Sequence, residues 1–175
     1  MINQKCIRNH SIDFELARLN DPEIRKVDGR LVEVGDVLVN STGVGTLGRL
    51  APVRYLPEPM VCDSHVTVVR ADTNAISKLY LASLLLTHEA FIEASGAGST
   101  GQTELRKEVI QGIMFSKPSA PLLEKFDSIL GPLSDQIATL EQQQISLAKL
   151  RDTLLPKLLS GELSLISTAE DEVSC

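Results

Sequence analysis

The chain has 175 residues, of which 43% are hydrophobic and 23% charged, values close to those of globular proteins, so a fibrous or wholly disordered chain is excluded. Only 3% of the residues are aromatic and none is Trp, which disfavours the stacking platforms of RNA- and single-strand-binding modules and leaves duplex DNA as the nucleic acid to expect. The net charge of −6 belongs mostly to the C-terminal part, since residues 1–120 carry 13 Lys and Arg against 14 Asp and Glu, and such a near-neutral region can bind phosphates through a local basic patch.

Short strands separated by turns are predicted over the first part of the chain. Runs of β-branched and aliphatic residues between polar or glycine-rich breaks are typical of strands. Gly35-Asp36 interrupts two such runs and predicts a tight turn or a bulge. The strand-like runs are residues 6–9, 12–16, 31–34, 37–39, 50–54 and 61–70.

The first helix is predicted at residues 77–93, where leucines recur on one face. Residues 72–74 offer oxygens for its N-cap, and Gly96 supplies a stop. After a glycine-rich loop, a short helical turn at residues 104–109 and a strand at residues 113–116 complete this region. The pattern predicts an α+β fold.

A long helix with a coiled-coil seam is predicted in the C-terminal part, because apolar residues recur every seven positions. Residues 121–155 as one helix would be about 50 Å long, more than the preceding region can cover, so we expect the seam to meet another helix. Pro132 is expected to kink this helix, and Pro156 to end or bend it before a last turn at residues 157–159. The seam residues are Phe126, Leu130, Leu133, Ile137, Leu140, Leu147, Leu154 and Leu158.

Gly43-Val-Gly-Thr-Leu-Gly48 matches the G-x-G-x-x-G pattern of dinucleotide-binding loops. That motif must open a helix, whereas the residues after Gly48 favour a strand that contains Pro52. A nucleotide-binding enzyme is therefore kept only as an alternative.

Residues 40–49, here called the 40–49 loop, are predicted to connect two strands. Glycines let main-chain N–H groups approach a ligand, and the polar side chains offer donors for phosphates or base edges. A second loop, residues 98–102, precedes two cations and has the same character, and either loop alternatively serves only as a turn or connector. The candidate DNA contacts are Asn40, Ser41, Thr42, Gly43, Thr46, Gly48, Arg49, Ser99, Thr100, Gln102, Arg106 and Lys107.

The sequence predicts no catalytic residue, metal or cofactor. Ser64 and His65 are neighbours in a predicted strand, where they would point to opposite faces and could not form a nucleophile and base. No apolar run approaches the roughly 20 residues of a membrane span, which predicts a cytoplasmic protein. The histidines and cysteines lack the spacing of a metal cluster or disulfide framework: His10, His65, His88, Cys6, Cys62 and Cys175.

A set of segments in a fixed order resembles the specificity subunits of type I restriction-modification systems. The resemblance covers about residues 5–165, and the closing helix motif is its most specific part. The segments are Cys6-Ile-Arg-Asn-His-Ser-Ile-Asp13, Gly35-Asp-Val-Leu-Val-Asn-Ser-Thr42, Asp63-Ser-His-Val-Thr-Val-Val-Arg70, Gly98-Ser-Thr-Gly-Gln102 and Leu150-Arg-Asp-Thr-Leu-Leu-Pro-Lys-Leu-Leu-Ser-Gly-Glu-Leu163.

This resemblance implies a non-catalytic, DNA-reading subunit that directs methyltransferase subunits to a duplex site. It implies a partial target-recognition domain at residues 1–117, a spacer or dimerisation helix at residues 118–166 and a flexible tail at residues 167–175. The family carries two recognition domains, whereas this chain has one and is expected to begin within it. We therefore expect a half-subunit or truncated form that associates with itself or with a second specificity chain through its helix.

An alternative within the same resemblance is a helical adaptor that no longer binds DNA. Residues 1–117 would then be a remnant of the recognition domain, and only the helix would still bind methyltransferase or another specificity chain. A salt-dependent DNA titration distinguishes the two, because phosphate contacts produce a salt slope and an adaptor produces none.

Overall fold

The computed structural model describes residues 1–21, 23, 27, 29–96 and 104–163. It confirms the predicted α+β class, with small antiparallel sheets followed by a long C-terminal helix. In chain order the strands and α-helices are β1 (Ile7–Arg8), β2 (Ser11–Ile12), β3 (Val37–Asn40), β4 (Leu50–Pro52), β5 (Val66–Val69), α1 (Lys78–Thr87), α2 (Glu89–Ala94), α3 (Lys107–Gln111) and α4 (Ala120–Leu159).

The main sheet has three antiparallel strands in the order β4-β3-β5. All four residues of the central strand β3 are buried. Because side chains alternate along a strand, Leu38 faces one apolar cluster with the N-terminal residues, whereas Val37 and Val39 face a second cluster with α1 and α2. The sheet is therefore covered on both faces, and its edges and loops carry the exposed chemistry.

A two-stranded hairpin, β1 with β2, lies in the first apolar cluster through Ile7 and Ile12. Its turn residues Asn9 and His10 both have positive φ, of 50° and 58°, as a two-residue type I′ turn requires. Sequence analysis recognised the two short pieces but not the turn, because residues other than Gly rarely have positive φ and neither turn residue is Gly.

An ion pair closes the turn before β3. Arg70 Nε donates to Asp36 Oδ1 at 2.7 Å and Arg70 Nη2 to Asp36 Oδ2 at 2.8 Å, while Glu33 N donates to Asp36 Oδ2 at 2.7 Å. The side chain of Asp36 is 2% exposed, and its hydrogen bonds raise the pKa of Arg70. The bidentate contact ties the end of β5 to the turn that introduces the central strand.

The prediction of one helix over residues 77–93 is wrong, because the chain breaks at His88 into α1 and α2. The break lets Glu89 accept from the N–H of Leu50 at 3.2 Å and contact His10 Nε2 at 2.6 Å. The N-cap is Ser77 rather than residues 72–74, and the predicted strand at residues 113–116 is also absent, since these described residues form no ladder.

The first turns of α4 pack against α1. Tyr80 contacts Phe126 edge to face at a ring-centroid distance of 5.7 Å, and Ser77 Oγ donates to Asp127 Oδ1 at 2.7 Å. The helix runs from Ala120 through both Pro132 and Pro156 to Leu159. The expectation that Pro156 could end it is therefore wrong, whereas its last residue, Leu159, is the one predicted.

Two compact units divide the chain, Met1–Ser134 and Asp135–Cys175, with the boundary inside α4. The first unit includes the turns of α4 that contact Ser77 and Tyr80. Within the described residues, no helix is both long and apolar enough to cross a membrane.

Replacement of Arg70 by Met would leave the buried carboxylate of Asp36 without its cation. We expect the free energy of unfolding to fall by about 2 to 3 kcal/mol, less than for a fully buried pair because Arg70 is partly exposed. Glu33→Ala removes only an exposed contact with Arg70 and should cost less than about 1 kcal/mol. Urea unfolding followed by circular dichroism measures both, and equal losses would contradict this account.

Candidate nucleic-acid interface

The 40–49 loop is a compact turn that leaves β3 and returns as β4. Its internal hydrogen bonds run from Leu47 N to Gly43 O at 3.0 Å and from Gly48 N to Asn40 O at 2.9 Å. Arg49 O in turn accepts from Asn40 N at 2.9 Å, which closes the base of the loop. The backbone of the loop is therefore held by its own contacts before any ligand binds.

Two glycines of the loop are required by close approach as well as by positive φ. At Gly48, with φ +83°, a Cβ atom would lie 2.5 Å from Cα of Glu93 in α2. At Gly43, with φ +107°, it would lie 2.4 Å from Oε1 of Gln4. These glycines pack the loop against the protein.

The dinucleotide-binding alternative has no support in this geometry. Gly48 is followed by Arg49 and strand β4, whereas the phosphate-binding motif needs a helix at this point. The resemblance to G-x-G-x-x-G arises because glycines at these positions satisfy turn geometry and packing.

Several predicted contact residues are buried beneath the loop. Asn40 is fully buried and donates from Nδ2 to Gln4 O at 3.1 Å, and Ser41 is buried with its hydroxyl bonded to that of Thr67. Gly48 is buried as well. In this conformation Asn40 and Ser41 do not present their side chains to a ligand, and Gly48 supports the loop through its packing.

The remaining predicted residues of the loop have exposed surface. Thr42, Gly43, Thr46 and Arg49 are partly exposed, and the guanidinium of Arg49 makes no hydrogen bond or ion pair with another described residue. Val44, which sequence analysis did not select, is 91% exposed at the tip of the loop. The loop thus presents an unpaired cation beside an apolar tip, whereas the Thr46 hydroxyl donates to Thr42 O at 3.4 Å.

The structure brings residues 104–107, which follow the second predicted loop in the chain, to the base of the 40–49 loop. Leu105 N donates to Ser41 O at 2.7 Å, and Thr42 pairs with Glu104 in an isolated β-bridge. Arg106 and Lys107 follow directly, exposed at the start of α3. Ser99, Thr100 and Gln102 lie outside the described residues.

An open depression of about 550 Å³ lies beside the loop. Gly43, Val44, Gly45 and Arg49 line one side of it, and Glu93 contributes a carboxylate. The depression is open and is lined by both a cation and a carboxylate, whereas a small cofactor usually occupies an enclosed, mostly apolar pocket. It therefore suits contact with a large polar surface better than binding of a small cofactor.

One pairing was missed by sequence analysis. Thr42 Oγ1 lies 2.8 Å from Nδ1 of His65, and Ser41 N donates to His65 O at 2.8 Å. Only the register of β3 with β5, in which Asn40 is opposite Val66, brings these residues together. No local spacing could have indicated it, because they are far apart in sequence.

The two described cysteines lack the character of nucleophiles. Burial raises the pKa of the Cys62 thiol to about 12 and also raises the pKa of Cys6, so both remain protonated near neutral pH. Among the residues that the structure describes, no group of three His, Cys, Asp or Glu side chains could hold a metal ion.

The predicted seam residues of α4 differ in their surroundings. Phe126 contacts Tyr80 within the chain, and Leu130 and Leu154 are partly exposed. The others remain largely accessible, with Leu140 at 55% and Leu147 at 64%. The exposed seam residues are Leu133, Ile137, Leu140, Leu147 and Leu158.

Comparison with known proteins identifies one informative relative. The chain is 48% identical over 167 residues to the type I restriction enzyme MjaIX specificity subunit of Methanocaldococcus jannaschii. The match covers 93% of this chain and 36% of that protein, so the chain spans about one third of the relative's length. No protein-family model matches the chain. The resemblance predicted from the sequence is confirmed.

The packing at Gly48 predicts that it tolerates substitution less well than Gly45. Gly48→Ala meets the backbone of α2 and a strained φ, so we expect a loss of more than about 3 kcal/mol in the free energy of unfolding. Gly45, with φ +72°, has no atom within 4 Å of a Cβ, and Gly45→Ala should cost only about 1 to 2 kcal/mol. Thermal unfolding of both variants measures the difference, and equal stability would contradict the packing role.

Proposed function

We propose that this chain, which is homologous to part of a type I restriction enzyme specificity subunit, recognises duplex DNA for a type I restriction-modification complex. The observation that carries the proposal is the 48% identity over 93% of the chain. The 40–49 loop and the segment beginning at Glu104 would supply the DNA contacts, because the two are adjacent at one end of the main sheet.

In this proposal the cations position the DNA and the polar loop reads it. Arg49, Arg106 and Lys107 donate to phosphate oxygens, whose contacts set register without sequence information. The hydroxyl of Thr46, which is partly exposed in the 40–49 loop, would contact a base edge, whereas the hydroxyl of Thr42 bonds to His65. We also propose that Ser99, Thr100 and Gln102 of the second predicted loop contact DNA, as expected from the sequence.

The chain acts without chemistry of its own. The protonated thiols of Cys6 and Cys62 are poor nucleophiles, and the proposed role needs none. Methyl transfer would belong to separate methyltransferase subunits, which this cytoplasmic protein would direct to the site. The purified chain alone should therefore transfer no methyl group to DNA.

Assembly would use the exposed apolar face of α4. Leu133, Leu140 and Leu147 repeat every seven residues and are more than half exposed, and such a seam is stabilised by insertion between the side chains of a second helix. We propose self-association or pairing with a second specificity chain along this face, which would bring two recognition regions into one complex.

The helical adaptor is a second candidate, favoured by the burial of Asn40, Ser41 and Gly48 away from the surface. An adaptor would use α4 alone and would make no phosphate contacts. Binding of duplex DNA at several salt concentrations separates the candidates, since a recognition subunit gives a negative slope of affinity against salt and an adaptor gives none.

Replacement of Arg49 by Ala tests the phosphate contact directly. We expect DNA affinity to fall about equally for all sequences and the salt slope to decrease by about one. Lys117→Ala removes a like charge from the segment before α4 and should leave the slope unchanged. Fluorescence anisotropy of labelled duplexes measures both variants, and a loss confined to one sequence would show that Arg49 contacts a base.

Charges placed in the seam should dissociate the assembly. The double variant Leu140→Glu and Leu147→Glu would bury carboxylates between helices, costing several kcal/mol and yielding monomers. Gln142→Glu, about 200° around the helix from Leu140, adds a charge on the opposite face and should leave the molar mass unchanged. Light scattering measures the mass, and a monomeric unmodified chain would exclude self-association.

A further inference from the structure

We propose that Thr42 and His65 form a hydrogen-bonded pair that reads one base edge of duplex DNA. His65 would be the contacting side chain and Thr42 its positioning residue. This inference rests on the proposed function and adds a specificity-determining residue that lies outside both predicted loops. It follows from a juxtaposition that the sheet creates at the end of β3.

Three contacts hold His65 in place before any ligand arrives. Its Nδ1 lies 2.8 Å from Thr42 Oγ1, its carbonyl oxygen accepts from Ser41 N at 2.8 Å, and its N–H donates to Asp63 Oδ1 at 2.9 Å. Both the backbone and the ring are thus constrained. A constrained side chain loses little conformational entropy on binding.

The hydrogen bond leaves one donor for a ligand. When the Thr42 hydroxyl donates to Nδ1, the neutral ring carries its proton on Nε2. That nitrogen has no hydrogen-bond partner among the described residues, and the side chain of His65 is exposed. With the proton on Nε2, the pair presents a single oriented N–H at the rim of the 40–49 loop.

Nearby charge favours a base edge over a phosphate as the acceptor. Asp63 lies two residues before His65 and bonds to its backbone, and Glu104 pairs with Thr42 in the β-bridge. The carboxylate of Asp63, whose Oδ1 accepts from His65 N at 2.9 Å, disfavours an anionic phosphate beside this pair. An uncharged acceptor in the major groove, such as purine N7, guanine O6 or thymine O4, suits the Nε2 donor.

The test begins with selection from duplexes that contain a randomised segment. The full chain is used as purified from its host, with any methyltransferase subunit that accompanies it. The unmodified protein should enrich one sequence motif. If it enriches none, the proposed function fails at this step, before any variant of Thr42 or His65 is measured.

His65→Ala should then relax the preference at one base pair of the motif. Affinity for the selected duplex should fall about three- to tenfold, as expected for one hydrogen bond, with the salt slope and the binding of random DNA unchanged. Ser64→Ala, at the exposed neighbouring residue, should select the original motif. An unchanged motif for His65→Ala, or an equal loss on every sequence, would overturn base reading.

Variants of Thr42 test the positioning role. Thr42→Val has nearly the same shape without the hydroxyl and should relax the preference at the same base pair. Thr42→Ser keeps a hydroxyl and should retain the preference of the unmodified protein. The double variant with His65→Ala should be no weaker than His65→Ala alone. Additive losses, or relaxation at another base pair, would overturn the pair. If His65→Ala does not fold, Thr42→Val retains the ring and decides the question.

Discussion

Burial of β3 on both faces is the constraint on which the rest of the structure depends. Leu38 packs towards the N-terminal residues, and Val37 and Val39 pack towards the helices. A strand in this position cannot carry exposed chemistry along its length, so functional groups are confined to the segments that follow its end. The 40–49 loop leaves the sheet at that end, next to the turn that precedes β5.

Burial of β3 also explains why the polar side chains of Asn40 and Ser41 stabilise the fold and do not face solvent. Asn40 and Ser41 still lie within the covered sheet, so their side chains bond to Gln4 and Thr67. Thr42 is the first residue beyond this cover, and it bonds to His65. The transition from structural to accessible side chains occurs within three consecutive residues, which gives the proposed contact surface a rigid base.

The long helix adds a second constraint, because one of its seam residues contacts α1 and others are exposed. Phe126 contacts Tyr80 of α1, and Asp127 accepts a hydrogen bond from Ser77, the N-cap of α1. These contacts attach the first turns of α4 to α1. Leu140 and Leu147 remain exposed. A single heptad pattern thus includes both an intramolecular contact and a surface available for assembly, and sequence periodicity alone does not separate them.

The sequence by itself determined the α+β class, the turn at Gly35, most of the strands and the extent of α4, because these follow from local periodicity and turn residues. It also determined the resemblance to type I specificity subunits, which the comparison confirms, whereas the two candidate DNA-binding segments stay a prediction. Tertiary structure alone decided the break at His88, after which Glu89 accepts a hydrogen bond from Leu50 N across the fold. It also decided the pairing of Thr42 with His65, since strand register joins residues that share no local signal.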